Sequence, residues 1–208
     1  LMIAVIVPIY NTEKYLRETI DSVICQTLSF AEHIRLILLD DASTDGSFAI
    51  CEQYQKQYPK QIVVKHYDTN QGVSALRNEG VRIAGEMGDE LITFLDSDDK
   101  LADDAVEKAK MYFESHEDIS VAAIAVKYFG TRDGEQRLNW RFQEMDVVDI
   151  KKQYTFPHYY VGGVFLRKRV LNELHFDETM NFWEDALAIN QVIVSEGKYG
   201  LIQDTFYF

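Results

Sequence analysis

The amino-acid sequence predicts an α/β fold, in which helices flank a mostly parallel central sheet and the second half of the chain is less regular. Strand-like and helix-like patterns alternate through the first half, which is typical of parallel strands joined by helical crossovers. The first apolar run, residues 3–8, is continuous, as expected of a strand buried on both faces. After Gly130 the alternation gives way to a longer polar stretch.

The first strand, residues 3–8, is followed by Asn11, a residue type that favours the N-cap of a helix. The helix it would start has apolar residues at helical spacing, namely Leu16, Ile20, Val23 and Ile24. Residues 35–39 predict the second strand. Residues 47–58 predict the next helix, because Pro59 closes it and its apolar side is formed by Phe48, Cys51, Tyr54 and Tyr58.

The same alternation continues as far as residue 129. Gly85 is expected to end the helix before it, because glycine tolerates the left-handed backbone found at helix ends. The predicted elements in this stretch are a strand at 61–67, a helix at 73–84, a strand at 91–95, a helix at 103–116 and a strand at 119–129.

The second half is harder to assign. Residues 131–153 are polar and mixed, with an isolated Trp140, and predict no element. Residues 159–166, which contain the pair Gly162 and Gly163, resemble a strand, and residues 199–202 a final short one. Helices are predicted at 167–174 and 184–196. His158, Tyr128, Phe129 and Trp140 are interpreted as structural residues.

The length and composition predict one ordinary globular domain over residues 1–208. We divide it into a regular half, 1–129, and a less regular half, 130–208. More chain is expected to follow, because the apolar run 205–208 has no polar tail. No apolar stretch is long enough for a transmembrane helix, and the first residues resemble a strand rather than a signal peptide. Cys25 and Cys51 are interpreted as reduced core thiols of a cytoplasmic protein.

The charge argues against one class of partner. The net charge is −13 and the isoelectric point is near 4.8. Proteins that bind phosphate backbones need clustered Lys and Arg, so we expect no nucleic-acid partner.

Polar and acidic residues follow four successive predicted strands. In open α/β sheets the carboxyl ends of parallel strands meet at one edge, where ligands bind. Crowded carboxylates repel each other unless a cation lies among them, and hard oxygen ligands favour Mg²⁺ or Mn²⁺. The residues concerned are Tyr10 and Asn11, Asp40 and Asp41, Asp68 to Asn70, and Asp96 to Asp99. The sequence therefore predicts a divalent metal site at this edge.

A metal held by few carboxylates usually completes its coordination with substrate phosphates and water, which predicts a phosphorylated ligand. Neither a GxxxxGK[ST] loop nor a GxGxxG turn is present, so the phosphate charge would be met by the metal, helped by Arg77. Each motif also has a purely structural interpretation. Residues 40–47 could be a polar turn with a helix cap, 96–99 a solvated turn, 70–72 a tight turn, and 183–185 a stabilised helix start.

Five motifs together resemble the family 2 glycosyltransferases of the GT-A fold over essentially the whole chain. They are VIVPIYN at 5–11, LDDASTDGS at 39–47, NQGVSALRN at 70–78, DSD at 96–98, and the pairs Gly162-Gly163 and Glu184-Asp185. In LDDASTDGS, Ala42 replaces the commoner glycine. In detail the chain is similar to bacterial enzymes that decorate cell-wall or capsular polymers.

The resemblance implies that residues 1–129 form a nucleotide-binding half and residues 130–208 an acceptor-side half. It also implies roles for individual residues. Pro8, Tyr10 and Asp41 would hold the nucleotide base, Asp96 would contact the ribose, and Arg77 would lie near the base or the diphosphate. Asp98 would bind the metal, Mn²⁺ or Mg²⁺, and Asp185 would be the catalytic base. The remaining implied site residues are Asn11, Asn70 and Ser97 on the nucleotide-sugar side, and Gly162, Gly163, Trp183 and Glu184 on the acceptor side.

The function implied is a metal-dependent, inverting transfer of a hexosyl or N-acetylhexosaminyl group from a nucleotide-diphosphate sugar, with UDP as the preferred nucleotide. The acceptor would be a glycan, a polyol phosphate or a lipid-linked hydroxyl. The implied location is cytoplasmic, including the inner face of the membrane, which regions outside this sequence would contact. The alternative is a non-catalytic nucleotide-sugar-binding module, which would have no need of Asp185. Receiver domains and haloacid-dehalogenase-type phosphatases are disfavoured, because they need an acidic residue at the end of the first strand.

Overall fold

A computed structural model describes residues 1–128, 136–137, 146–152, 161–180 and 182–208. The first half contains β1 (Ile3–Ile9), α1 (Glu13–Ile24), α2 (Phe30–His33), β2 (Ile34–Asp40), α3 (Ser47–Gln57), β3 (Ile62–His66), α4 (Val73–Met87), β4 (Leu91–Phe94), α5 (Ala105–Ser115) and β5 (Val121–Lys127). The second half contains β6 (Gln136–Arg137), β7 (Val147–Asp149), β8 (Val164–Arg167), a short 3-10 helix (Lys168–Val170), α6 (Glu184–Glu196) and β9 (Lys198–Tyr207).

The strands form one sheet in the order β3-β2-β1-β4-β8-β5-β9-β7, with β6 paired to β5. Strands β3, β2, β1 and β4 are parallel to one another. Strand β8 is antiparallel to both β4 and β5, and β9 is parallel to β5, so β5 and β9 point the same way as the first four strands. The predicted fold class, a mostly parallel sheet flanked by helices, is confirmed.

Two apolar layers cover the two faces of the sheet, and β1 shows how the sequence builds both. Every residue of β1 is buried. Ile3, Val5, Val7 and Ile9 pack into one layer with residues of α1, α3 and α5, whereas Ala4 and Ile6 pack into the other with residues of α4 and α6. Because successive side chains of a strand point to opposite faces, a continuous apolar run is what this position requires.

Helix α4 lies so close to β1 that one of its positions admits only glycine. A Cβ atom built on Gly80 would lie 2.3 Å from Cγ2 of Ile6, whose side chain is fully buried. We therefore expect Gly80→Ala to lower the free energy of unfolding by about 1–3 kcal/mol, the usual cost of overpacking a core. Gly85, in the same helix, has no atom within 4 Å of its built Cβ. The control Gly85→Ala should raise stability by about 0.5–1 kcal/mol. Equal stability of the two variants in urea denaturation would contradict this packing argument.

Three predicted helix features are wrong. The N-cap position of α1 is Thr12 rather than Asn11, because Asn11 has a left-handed backbone (φ 54°) and its side chain bonds elsewhere. Helix α4 does not end at Gly85 but continues to Met87, and Gly88 with φ 81° provides the left-handed C-cap. Residues 167–174 form the end of β8, one 3-10 turn and further turns instead of an α-helix.

Two further expectations also need correction. The final strand is not a short one at 199–202 but runs over Lys198–Tyr207. Cys51 is buried as predicted, whereas Cys25 is exposed at the end of α1, so only one of the two thiols belongs to the core. The predictions about Phe129, Trp140, His158 and the start of the strand at 159 lie outside the described residues. In the part of the chain that the structure describes, no helix has both the length and the apolar character needed to cross a bilayer.

Candidate active site

Two neighbouring cavities open where β1, β2 and β4 end. The smaller has a volume of about 230 Å³, and its lining comes mainly from the strand ends and the first turn of α4. The lining residues are Pro8, Ile9, Tyr10, Asp41, Val73, Leu76, Asp96, Ser97 and Asp98. Tyr10 is half exposed, so a face of its ring is available to a ligand. Five residues to which the sequence assigns nucleotide binding therefore lie together here, and the predicted metal ligand Asp98 lies with them.

The larger cavity has a volume of about 430 Å³. Four carboxylates and one ammonium group line it, together with several aromatic rings. The lining residues are Tyr15, Asp96, Asp98, Asp99, Val126, Lys127, Tyr128, Gly162, Asp185, Tyr207 and Phe208. Asp96 and Asp98 line both cavities, so the two spaces meet at these carboxylates.

Asp41 is almost fully buried and fixes the loop before α4. Its Oδ1 accepts the backbone N–H of Gln71 (2.7 Å) and its Oδ2 accepts that of Gly72 (2.9 Å). The side chain of Asn70 donates to the backbone carbonyl of Asp41 (3.4 Å). Asn70 therefore supports Asp41 from the loop and does not line either cavity. Asp41 has a structural task in addition to any contact with a ligand.

Asn11 connects the loop after β1 with the loop after β2. Its backbone N–H donates to Oγ of Ser43 (2.9 Å), and its Oδ1 accepts the N–H of Thr44 (2.8 Å). Both Asn11 and Ala42 have left-handed backbones, which are uncommon for residues other than glycine and concentrate at functional loops. Asn11 lies outside the linings of both cavities and positions the chain after Tyr10.

Arg77 is buried and joins β4 to α6. Its two terminal nitrogens pair with Oδ1 of Asp96 (3.2 Å) and Oε1 of Glu184 (3.1 Å), and its guanidinium carbon lies 5.6 Å from the ring centre of Phe176. Within the described residues its Nε has no hydrogen-bond partner. Glu184 precedes Asp185, so Arg77 links the carboxylate shared by the cavities to the start of the helix that carries the predicted base.

Residues 96–99 form a tight turn, in which the N–H of Asp99 donates to the carbonyl of Asp96 (3.1 Å). Ser97 is buried in this turn, and its carbonyl accepts the hydroxyl of Thr19 (3.0 Å). Asp98 is exposed. Burial raises the pKa of Asp99 to about 7, assisted by the negative charges of Asp96 and Asp98 and opposed by a hydrogen bond from Tyr207.

The raised pKa of Asp99 predicts a pH effect on stability. The unfolded carboxyl ionises near pH 3.8 and the folded one near pH 7, so in between the folded state binds more protons. The free energy of unfolding should then fall as the pH rises from about 4 to 7, by at most ~1.4 kcal/mol per pH unit. Above pH 7, Asp99 should cause no further change. Urea denaturation in EDTA at pH 4.5–8 gives the free energies of unfolding of the native chain and of Asp99→Asn, and their difference should show this slope. A difference that stays constant with pH would contradict the prediction.

Asp185 lies in the first turn of α6 and lines the larger cavity. Its carboxylate accepts the N–H of Ala186 (2.7 Å) and that of Val161 (3.4 Å), which directs it toward the segment that contains Gly162. Trp183, the residue before Glu184, is 65% exposed and has a left-handed backbone (φ 66°). A left-handed tryptophan is strained, and such strain clusters at functional sites.

The glycine pair has a steric role. A Cβ built on Gly162 would lie 2.6 Å from Cζ of Tyr207, and one on Gly163 would lie 2.9 Å from Cγ1 of Ile124. Gly163 also has φ 74°, which glycine adopts without strain. Only Gly162 lines the larger cavity, so the pair shapes this wall by allowing close approach of its neighbours.

The predicted metal site consists of few protein groups. In the described stretches, no three His, Cys, Asp or Glu side chains are grouped to hold a metal ion. Asp96 and Asp98 nevertheless lie at the junction of the cavities and offer hard carboxylate oxygens, the donors that Mg²⁺ and Mn²⁺ prefer. These two residues fit a cation that completes its coordination with substrate phosphates and water.

The sequence placed Asp99 in the strand-end acidic cluster, and it lines the larger cavity. Six other lining residues were given no site role from the sequence, namely Tyr15, Val126, Lys127, Tyr128, Tyr207 and Phe208. Tyr128 was interpreted as a core residue but is half-buried in the cavity wall. Tyr15, Lys127 and Tyr207 carry no local signal, because only the folded chain brings them to the cavity.

Comparisons with known proteins identify the family that the chain resembles. The sequence profile of the family described as Glycosyl transferase family 2 matches residues 4–175. The chain is 40% identical, over its full length, to the Minor teichoic acid biosynthesis protein GgaA of Bacillus subtilis (strain 168), and covers 46% of that protein. It is 38% identical to GgaB of the same organism, with 98% of the chain covering 22% of that protein. The chain therefore spans less than half the length of these relatives.

Solved structures share the fold. S. aureus TarS 1-349 has a TM-score of 0.83 and 24% sequence identity, and the match covers 99% of this chain and 60% of that one. The same protein in complex with UDP-GlcNAc has a TM-score of 0.81 at 23% identity, covering 99% of this chain and 58% of that one. At this identity the likeness establishes the fold alone, and it confirms the predicted GT-A architecture.

Proposed function

Because the chain belongs to glycosyl transferase family 2, we propose that it transfers a sugar from a UDP-sugar to an acceptor hydroxyl in a single inverting displacement. One observation carries the proposal: the two cavities meet at Asp96 and Asp98, and Asp185 lines the larger one. A donor lying across this junction would present its sugar to the larger cavity.

The donor nucleotide would occupy the smaller cavity. Tyr10 offers an exposed aromatic face for stacking, Pro8 adds apolar surface, and Asp41 would accept an N–H of the base. Asp41 already accepts two backbone N–H groups, yet each carboxylate oxygen has two lone pairs, so a further acceptor position is available. Asp96 would contact the ribose. The fold neighbour that binds UDP-GlcNAc supports a uridine nucleotide.

Asp98, with Asp96 beside it, would hold Mn²⁺ or Mg²⁺ together with oxygens of the diphosphate and water. A bound divalent cation would take up the negative charge that develops on the departing diphosphate. Arg77 acts on this site indirectly, because its two ion pairs hold Asp96 and the start of α6 in one arrangement. We propose that Arg77 is a positioning residue rather than a direct contact of the base.

Asp185 would accept the proton of the acceptor hydroxyl as the new glycosidic bond forms. A positioned carboxylate suits this role, because an alcohol of high pKa loses its proton only as the bond forms. Gly162 and the exposed Trp183 would border the acceptor. The names of GgaA and GgaB support an acceptor that belongs to a teichoic acid or a related surface polymer, a polyol phosphate among them.

We also propose a cytoplasmic location, including the inner face of the membrane. The supporting observation is that Cys25 and Cys51 are both free thiols, a state that the reducing cytoplasm maintains. The transferred group would be a hexosyl or N-acetylhexosaminyl residue.

A nucleotide-sugar screen tests the proposal. Melting temperatures should be measured with UDP-, GDP- and CDP-sugars, each with Mn²⁺ and with EDTA, because a ligand that binds the folded state raises the melting temperature. A UDP-sugar with Mn²⁺ should give the largest increase, and the same pair should release UDP on incubation. Stabilisation without any UDP release, with acceptor polymers present, would favour the non-catalytic binding module instead.

A further inference from the structure

The side chain of Tyr207 lies at the end of β9, between the turn formed by residues 96–99, here called the DSD turn, and the glycine pair Gly162-Gly163. It is 5% exposed, and its backbone is held on both sides. On one side Tyr207 is the ladder partner of Val126 in β5, and on the other it forms a bridge with Leu101. The next residue, Phe208, exchanges two backbone hydrogen bonds with Lys100 (2.6 and 2.7 Å). The backbone from which the ring projects is therefore held in place beside residues 96–99.

The hydroxyl of Tyr207 bonds both ends of the DSD turn. It accepts the backbone N–H of Asp96 (3.1 Å) and donates to Oδ2 of Asp99 (2.8 Å). The turn is closed independently by the bond from the N–H of Asp99 to the carbonyl of Asp96. A phenol can accept and donate at once, whereas phenylalanine in the same place can do neither.

The opposite wall leaves room for this hydroxyl only because residue 162 is glycine. A Cβ at that position would lie 2.6 Å from Cζ and 2.9 Å from the hydroxyl oxygen of Tyr207. Contacts below 3.0 Å force a neighbour to move, so a side chain at position 162 would displace the ring of Tyr207. Gly162 therefore leaves the space that the hydroxyl of Tyr207 needs to reach the turn.

We infer that Tyr207 is a positioning residue, whose hydroxyl holds the Asp96–Asp99 turn so that the carboxylates of Asp96 and Asp98 stay at the junction of the two cavities. This inference rests on the proposed function, because the turn matters for binding only if a metal and a diphosphate meet there. Nothing in the local sequence around Tyr207 indicates this role.

The test compares UDP affinity with Mn²⁺ and with EDTA, measured by calorimetry on the native chain and three variants. In Tyr207→Phe the ring and its packing remain but both hydrogen bonds are lost. We expect its dissociation constant for UDP in Mn²⁺ to rise about tenfold, as for the loss of a hydrogen bond to a charged group, while that in EDTA stays unchanged. Gly162→Ala should show the same pattern, because the added methyl group displaces the hydroxyl. Gly85→Ala, a glycine with open space around its Cβ, is the matched control and should bind like the native chain.

The outcomes separate the inference from the function on which it rests. Melting curves establish that each variant is folded, and if Tyr207→Phe melts below the assay temperature, Gly162→Ala decides by the same criterion. A folded variant that keeps the full affinity gain from Mn²⁺ overturns the inference and leaves the proposed function intact. A native chain that binds no UDP in Mn²⁺ overturns the proposed function, and the inference with it.

Discussion

Asp185→Asn is expected to lower the turnover number by about 10²–10⁴-fold and to leave the affinity for UDP unchanged. This range is the usual contribution of a general base. Asp185 lines the larger cavity and not the smaller one, so its loss should affect the chemical step rather than nucleotide binding. Turnover with a saturating UDP-sugar and the dissociation constant of UDP are the two measurements.

Asparagine is the substitution that best separates a catalytic role of Asp185 from a structural one. Its side-chain oxygen can still accept the N–H of Ala186, now at 2.7 Å from Oδ1 of Asp185, so the helix start keeps its hydrogen bond. What it cannot do is take up a proton at neutral pH. A loss of rate with little loss of stability would therefore report the missing base.

The control is Glu107→Gln in the first turn of α5. Like Asp185, Glu107 is an acidic residue near a helix N-terminus, but it lies outside both cavities. Both substitutions remove one favourable interaction with a helix dipole, worth about 0.3–1 kcal/mol, so their melting temperatures should change by similar amounts. If Asp185→Asn is destabilised yet retains turnover, Asp185 only stabilises its helix and the base is another residue.

The sequence was sufficient to predict that three strand-end acids lie close together at one edge of the sheet. Asp41, Asp96 and Asp98 follow buried strands, and parallel strands necessarily bring such residues to one edge. The same rule failed for Asp68, which also follows a strand but lies outside both cavities, because β3 is the edge strand of the sheet. Strand order, which the sequence pattern does not contain, decides which of these acids line the cavities.

Side-chain partners were beyond prediction for a different reason. The two ion pairs of Arg77 connect it with residues 19 and 107 positions away. A pattern read along the chain identifies the residue type but not the distant group with which it pairs. The resemblance implies that Arg77 lies near the base or the diphosphate, whereas in the structure its guanidinium bridges Asp96 and Glu184.

The wrong elements have local physical causes. Residues 167–174 place Val170, Leu171 and Leu174 in the core, a spacing that also fits a helix, but a 3-10 turn followed by further turns buries them as well. The last strand was predicted too short because Gln203 and Asp204 interrupt its apolar pattern. In the structure Asp204 has φ 59°, the ladder with β5 shifts its register there, and pairing resumes at Phe206. A bulge of this kind lets a strand continue through polar residues.

Asp98→Asn is expected to weaken UDP binding about 100-fold in the presence of Mn²⁺. In EDTA it should not weaken binding, because the substitution removes a negative charge that repels the diphosphate. The reason is the charge at the junction of the cavities. The carboxylates of Asp96 and Asp98 line both cavities, so a diphosphate at the junction would face negative charge. Two like charges 4 Å apart near a protein surface repel by about 4 kcal/mol at an effective dielectric constant of 20, and a bound divalent cation would reverse the sign of that interaction.

A hundredfold change corresponds to about 2.7 kcal/mol, which is within the repulsion that the cation would relieve. Asp68→Asn is the matched control, since Asp68 is an exposed acid after another strand of the same sheet and lies outside both cavities. It should bind UDP like the native chain in both buffers, which excludes a general effect of removing one negative charge. Calorimetric titrations of UDP on the native chain and on both variants, with Mn²⁺ and with EDTA, give the six dissociation constants that the comparison needs. If the native chain binds UDP equally well in both buffers, the junction binds the diphosphate without a metal, and Lys127, which lines the larger cavity, becomes the first cation to substitute.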